Sequence, residues 1–340
     1  MPKDSKLSQV SKKVLLQAGI IFGLVAIFVV QTYFLMQFNE NNKTGWFFDF
    51  YWVIFGSLLL ALFIYLLIGF IRSLKGKNCL AVRLANQSIK YKFLLKQLVI
   101  RDFKRKYKRS VLGILWSFLN PLLMMGVQYI VFSTIFGNQE IPFYPVYLLI
   151  GVVFFGVVNE ACSSGLTGIT DNGPLIKKVS VPPHIFTLSR VLMSYINFAL
   201  SLIPLVIIMI ICKVTPTFSL LWFFPITILL FFFVYGIALF LSAVMVFFRD
   251  IQFIWGVFNM LWMYGTPIFY DVKNIGNGTF QTIIKCNPLY HYLTFVRTAF
   301  IDGTCPDIKS LGFCVLFALA AFVIGSVVFT TTKKRFSFYV

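Results

Sequence analysis

Acidic residues are scarce in this sequence: Asp and Glu number 11 in 340 positions, against 30 Lys and Arg, and histidine occurs twice. Carboxylate pairs for acid–base catalysis and protein metal sites need such groups clustered, and none cluster here. His184 and His291 lack the Ser and Asp framework of a nucleophile triad. The six cysteines show no CxxC and no metal-ligand spacing. No Gly-x-x-x-x-Gly-Lys-Ser/Thr stretch occurs, so a Walker A phosphate loop is absent. No catalytic or metal site is therefore expected, and any ATP-driven step must draw on another polypeptide. Charged residues of both signs make up 12% of the chain, about half the roughly 25% usual in soluble domains. That shortage argues against a water-soluble fold and against a nucleic-acid-binding surface, which needs basic residues arrayed on a soluble face.

Apolar residues fill the space instead, at 59%, with 41 phenylalanines. Long apolar runs predict an all-α polytopic membrane protein with eight spans, near residues 14–38, 47–71, 111–136, 145–166, 185–212, 220–248, 251–269 and 311–331. The first run follows Lys12-Lys13 but exceeds a signal-peptide core and lacks a small-x-small cleavage site, so it reads as a retained span. Eight crossings put both termini on one side. With the termini inside, only six of the 30 Lys and Arg fall outside (Lys43, Lys213, Lys273, Lys285, Arg297 and Lys309), which orients the chain with cytosolic termini.

The spans suggest three parts: an N-terminal hairpin (1–75), a basic connector (76–110) and a six-span core (111–340). Within the connector, residues 91–99 alternate apolar residues with lysines, predicting an interfacial amphipathic helix whose apolar side meets headgroups, with a soluble linker helix as the alternative. Residues 271–310 would lie outside, yet contain an apolar patch at 290–300. A short helix that re-enters the bilayer or rests on its outer surface fits that pattern. Cys286 and Cys305 share this side, either paired or as two free thiols.

Among polar residues, Glu160 is the one acidic side chain well inside a predicted span, with Asn159 beside it; a gating role and a place near the cytosolic end are both open. Phe132, Phe136, Tyr144, Tyr147, Phe154 and Phe155 crowd the outer half of two core spans, as a sugar-binding path or as an interface belt. On the cytosolic side, Gly and Pro bracket a short apolar-cationic segment at 170–183, either a docking element or a solvated loop.

The order of several motifs resembles the permeases of type-2 ABC exporters for lipid-linked polysaccharides, the O-antigen and wall teichoic acid exporters. Leu98-Val99-Ile100-Arg101-Asp102-Phe103-Lys104-Arg105-Lys106-Tyr107 leads into Ser110-Val111-Leu112-Gly113-Ile114-Leu115-Trp116 and Asn120-Pro121. Leu175-Ile176-Lys177-Lys178-Val179-Ser180-Val181-Pro182, Phe247-Phe248-Arg249-Asp250-Ile251, Thr266-Pro267-Ile268-Phe269-Tyr270 and Asn287-Pro288-Leu289 follow in order.

The resemblance implies a type-2 ABC exporter transmembrane domain in a bacterial plasma (inner) membrane, to which the hairpin at 14–71 is an addition. It implies a homodimer working with two copies of a separate nucleotide-binding subunit, which would bind the ATP and Mg2+. The substrate would be an undecaprenyl-pyrophosphate-linked glycan. Arg101, Lys104, Arg105, Lys108 and Arg109 would attract the pyrophosphate, although positive-inside charge alone accounts for the same residues. Asn172, Leu175, Ile176, Lys177, Lys178 and Pro182 would couple to the ATPase. Pro267, Tyr270, Asn287, Pro288 and Arg297 would belong to outer re-entrant helices. The hairpin would stabilise the assembly, flank the glycan path or recruit glycan biosynthesis enzymes. A permease for drugs or simple lipids and a non-ABC membrane assembly protein stand as the alternatives.

Overall fold

The computed structural model describes residues 87–108, 112–135, 141–178, 181–215, 217–272, 278–304, 308–333 and 336. Contacts divide the chain into Met1–Cys79 and Leu80–Val340, and every described residue belongs to the second unit. The expected hairpin at 14–71 lies outside the described residues, as do Arg109 and Phe136.

The described residues are helical. In order they form α1 (Lys92–Tyr107), α2 (Trp116–Ile135), α3 (Tyr144–Leu166), α4 (Gly173–Lys178), α5 (His184–Ile211), α6 (Phe223–Phe247), α7 (Ile251–Tyr264), α8 (Gly278–Lys285), α9 (Pro288–Arg297) and α10 (Ile308–Thr332). Five segments are long and apolar enough to cross a bilayer: Gly113–Thr134, Tyr144–Leu166, His184–Ile211, Phe218–Phe247 and Ser310–Thr332. The chain is a multi-pass membrane protein.

Helix α7 covers only part of the segment expected to span at 251–269. Helix α7 has 14 residues, or about 21 Å at 1.5 Å per residue, against an apolar bilayer thickness of about 30 Å. It stops because Gly265-Thr266-Pro267 follows: proline carries no N–H to extend the ladder, and the Thr266 hydroxyl turns back to donate to Trp262 O at 2.7 Å. The expected outer region resolves into α8 and α9, both too short to cross, and ends at Gly303 in the left-handed region with φ +64°.

Helix α3 forms the centre. Val146, Leu148, Leu149, Ile150, Val158 and Cys162 are buried on it, packed mainly by α5 and α6. The most extensive helix pair is α6 with α10, and small residues set how closely it can pack. A Cβ on Gly325 would stand 2.0 Å from Gly236 O, and one on Gly236 would stand 2.3 Å from the Ala321 carbonyl carbon. Between membrane helices such close approach supplies the attraction, because lipid offers no hydrophobic contrast.

Helix α1 does not turn its whole apolar face to headgroups as the sequence suggests. Tyr91, Leu94, Leu95 and Leu98 recur at helical spacing and pack on Val181, Ile185 and Phe186, with Leu175 and Ile176 alongside. Ile89 and Phe93 stay exposed. Lysines at 90, 92 and 96 supply polarity, but three-dimensional packing gives most of the apolar stripe a protein partner. Gly113, with φ +50°, turns the chain from α1 into α2, a conformation that costs a residue without Cβ little.

Candidate functional site

A cavity of about 910 Å3 opens between the end of α1 and helices α2, α3 and α5. That is near the upper end of the roughly 300–1,000 Å3 typical of ligand sites. Its apolar wall includes Trp116, Pro121, Met124, Val153 and Phe198, and its polar wall carries hydroxyls, amides and one ion pair. Lys106 Nζ donates to Glu160 Oε1 at 2.7 Å, with side chains 44% and 37% exposed. Asn197 Nδ2 donates to the same oxygen at 2.5 Å. The Tyr107 hydroxyl donates to Asn197 Oδ1 at 2.8 Å and touches Ser117 Oγ. Four helices therefore meet through one chain of polar contacts.

Glu160 lies six residues before the end of α3, about 9 Å along the axis, and its partner comes from the basic helix. Of the places left open by the sequence, Glu160 takes the one near the basic end of the helices, as an ion-paired group. Asn159 lines the same cavity and accepts from Ser163 Oγ at 3.1 Å; Ser163 in turn accepts from Trp255 Nε1 at 3.1 Å.

A second network ties α1 to the short segment before α5. Asp102, its side chain 3% exposed, lies 2.9 Å from Arg101 and 3.5 Å from Arg190. Arg190 also bonds Asp171 Oδ2 at 3.0 Å. Arg101 Nη1 donates to Asn172 Oδ1 at 3.1 Å, and Asn172 Nδ2 donates to Gly168 O at 2.8 Å. Asn172 is buried, so the amide expected to face an ATPase instead braces α1. Lys177 and Lys178 on α4 are exposed, whereas Leu175, Ile176 and Pro182 are half-buried. Arg101 is committed to Asp102 and Asn172, whereas Lys104, Arg105 and Lys108 are exposed.

At the opposite end, Arg297 is almost fully buried. Its guanidinium donates to Pro267 O at 2.6 Å and to Ile268 O and Tyr147 O at 3.2 Å each, and it lies 3.4 Å over the Tyr147 ring. A Cβ on Gly151 would meet Ile268 Cγ2 at 2.7 Å, so glycine makes room for this junction. The Tyr144 and Tyr147 hydroxyls donate to Phe269 O and Tyr270 O at 2.9 and 2.8 Å. Asn287 caps α9 by accepting from Leu289 N at 3.0 Å, accepts from Trp262 Nε1 at 2.9 Å, and donates to Gly265 O at 3.1 Å. Pro288 follows as the first residue of α9. His291 donates through Nε2 to Lys285 O at 2.9 Å, and burial pushes its imidazole down to about 4. Cys286 carries a free thiol, and Cys305 lies outside the described residues.

Among the described residues, the aromatics read either as a glycan path or as an interface belt pack against one another and their neighbours. Phe154 and Phe155 are buried, Phe154 against Phe198 and Phe223 and Phe155 against Trp262. Phe132 stacks on Phe269 with centroids 4.5 Å apart. Together with Tyr144 and Tyr147, these rings hold helices together. Sequence reasoning also missed Arg190, a lone cation inside an apolar run, and the partners Lys106, Tyr107 and Asn197. Arg190 carried a readable signal, since an ionisable residue inside an apolar helix normally faces a partner.

Residues 94–301 match the family described as ABC-2 type transporter. The chain belongs to that family. This ABC-2 transporter chain is 31% identical over 245 residues to an O-antigen export system permease protein RfbA of Klebsiella pneumoniae, covering 72% of this chain and 93% of the relative. A protein of the same description from Myxococcus xanthus is 28% identical over 257 residues, covering 75% and 98%. The polysialic acid transport protein KpsM of Escherichia coli is 23% identical over 252 residues, covering 72% and 95%. The matched family segment contains the cavity, the Arg190 network and the Arg297 junction, so all three belong to its permease fold.

Proposed function

We propose that this chain is the permease of an ATP-driven exporter that moves an undecaprenyl-pyrophosphate-linked polysaccharide from the cytosolic to the outer face of a bacterial inner membrane. It would act as a homodimer with two copies of a separate ATPase subunit holding ATP and Mg2+. The observation that carries this reading is the cavity where the basic helix α1 meets α2, α3 and α5, within a chain whose relatives named for O-antigen export match along nearly their whole length.

The exposed cations Lys104 and Arg105 on the helix that borders the cavity, and Lys108 at its end, would meet a lipid pyrophosphate by charge. Lys177 and Lys178 on α4 would contact the ATPase. Its movement would reach α1 through Asn172, Arg101, Asp102 and Arg190. Phe253, Val257, Met260 and Leu261 leave an apolar stripe exposed on α7, a surface suited to the second copy. In this arrangement α1 and α4 lie at the cytosolic face, both termini are cytosolic, and α8 and α9 form the outer re-entrant pair.

Co-reconstitution with the ATPase tests the reading. Undecaprenyl-pyrophosphate-linked glycan should stimulate ATP hydrolysis, and neutralising Lys104 and Arg105 should raise the concentration required. Stimulation by simple lipids or drugs alone would reject it.

A further inference from the structure

The cavity beside α1 has an apolar wall, the larger part of its surface, and a polar wall that carries no net charge. Among the described residues, Lys106 and Glu160 are the charged side chains that line it, and they neutralise each other at 2.7 Å. The remaining polar surface comes from neutral groups, including Tyr107, Ser117, Asn120, Asn159, Asn197 and Ser201. Several are oriented by one another: Ser201 Oγ bonds Ser117 O at 3.2 Å and Asn197 O at 3.0 Å, while Asn197 bridges Tyr107 and Glu160. Trp116 supplies an aromatic face in the same wall.

We infer that this cavity selects an uncharged, hydroxyl-rich glycan segment and discriminates against acidic sugars. The inference rests on the exporter reading above and deepens it to the class of sugar at that site. Amides and hydroxyls both donate and accept, which matches neutral sugar hydroxyls, and aromatic faces suit their apolar sides. A uronate or sialate carboxylate would enter beside Glu160 and meet no cation except one already paired. Burying a charge without a partner is costly, and like charges held close repel. The lipid pyrophosphate is a separate matter: Lys104 and Arg105 on α1 and Lys108 just after it are exposed and do not line this cavity. Capture of the lipid anion and selection of the sugar therefore fall to different residues of the same helix region.

The test uses the full-length chain in nanodiscs of zwitterionic lipid and two polyprenyl-pyrophosphate oligosaccharides of equal length. One is built of neutral hexoses and the other of alternating hexuronic acids, so the shared pyrophosphate cancels. The wild type should bind the neutral probe more tightly, by roughly two- to fivefold, the scale of one partly exposed charge contact. Glu160→Gln frees Lys106 and should move the ratio toward the acidic probe; Lys106→Gln frees Glu160 and should move it the other way. Opposite shifts cannot arise from a general loss of fold, and either variant alone tests the direction. Equal binding of both probes by the wild type, or shifts of the same sign, would overturn the selectivity while leaving the exporter reading intact. Binding of neither probe would overturn both.

Discussion

Alanine at Gly325 should loosen the contact between α6 and α10. Its Cβ would stand 2.0 Å from Gly236 O, a backbone atom that no rotamer change can move. Restoring an ordinary contact of 3.4 Å requires the helices to part locally by about 1.4 Å. A gap of even 0.5–1 Å forfeits about a quarter to a half of each dispersion contact it opens, and overpacking of this kind costs about 1–3 kcal/mol. At roughly 2–4 °C per kcal/mol, the apparent melting temperature in detergent should fall by about 2–12 °C. Gly126→Ala supplies the opposite case, because nothing lies within 4 Å of a Cβ there. Helix propensity alone should make that change neutral or stabilising by up to about 1 kcal/mol. Fluorescence-detected size-exclusion chromatography after heating reads both variants. Equal melting of Gly325→Ala and wild type would refute the close-packing argument.

The Arg297 junction should be sensitive to side-chain shape as well as charge. Arg297→Ala removes hydrogen bonds to three carbonyls and should cost about 3–5 kcal/mol, whereas Arg297→Lys should fall between the two because an ammonium lacks the planar fork; thermal unfolding in detergent measures both. Asp102→Ala strands the buried end of Arg190 and should lower glycan-stimulated ATP hydrolysis more than it lowers assembly with the ATPase, checked by co-purification beside activity. His291, at about 4 in the fold against 6.5 in the unfolded chain, contributes on the order of 3 kcal/mol that is present above pH 6.5 and lost as pH falls toward 4. Thermal stability measured across that range should therefore decline more steeply for wild type than for His291→Gln.

The sequence reveals the helices more readily than their partners. Apolar runs locate α3, α5, α6 and α10 because each is long and nearly free of charge, and the ordered motifs from Leu98 to Arg297 place the family. Hydropathy locates the apolar segment at 251–269 but not the end of its helix, because Gly265 and Pro267 stop α7 while the apolar composition continues. Those two residues were the available signal. Glu160 was visible as an anomaly, but Lys106 lies 54 positions before it and Asn197 37 after it. No local pattern links residues so far apart; packing of α1 and α5 on α3 brings them together. The sequence left the place of Phe154 open for a related reason, since an aromatic run reads alike whether it lines a path or fills a core. Asn172 looked like part of an exposed coupling loop because nothing in its neighbourhood reveals the guanidinium of Arg101.

Export itself can be observed in inside-out vesicles carrying the chain and its ATPase, with lipid-linked glycan supplied on the outer surface, which corresponds to the cytosol. ATP should move the glycan into the lumen, where an added glycosidase cannot reach it, and a non-hydrolysable nucleotide should not. Normal ATP hydrolysis by the assembled complex with every glycan still open to the glycosidase would contradict the account.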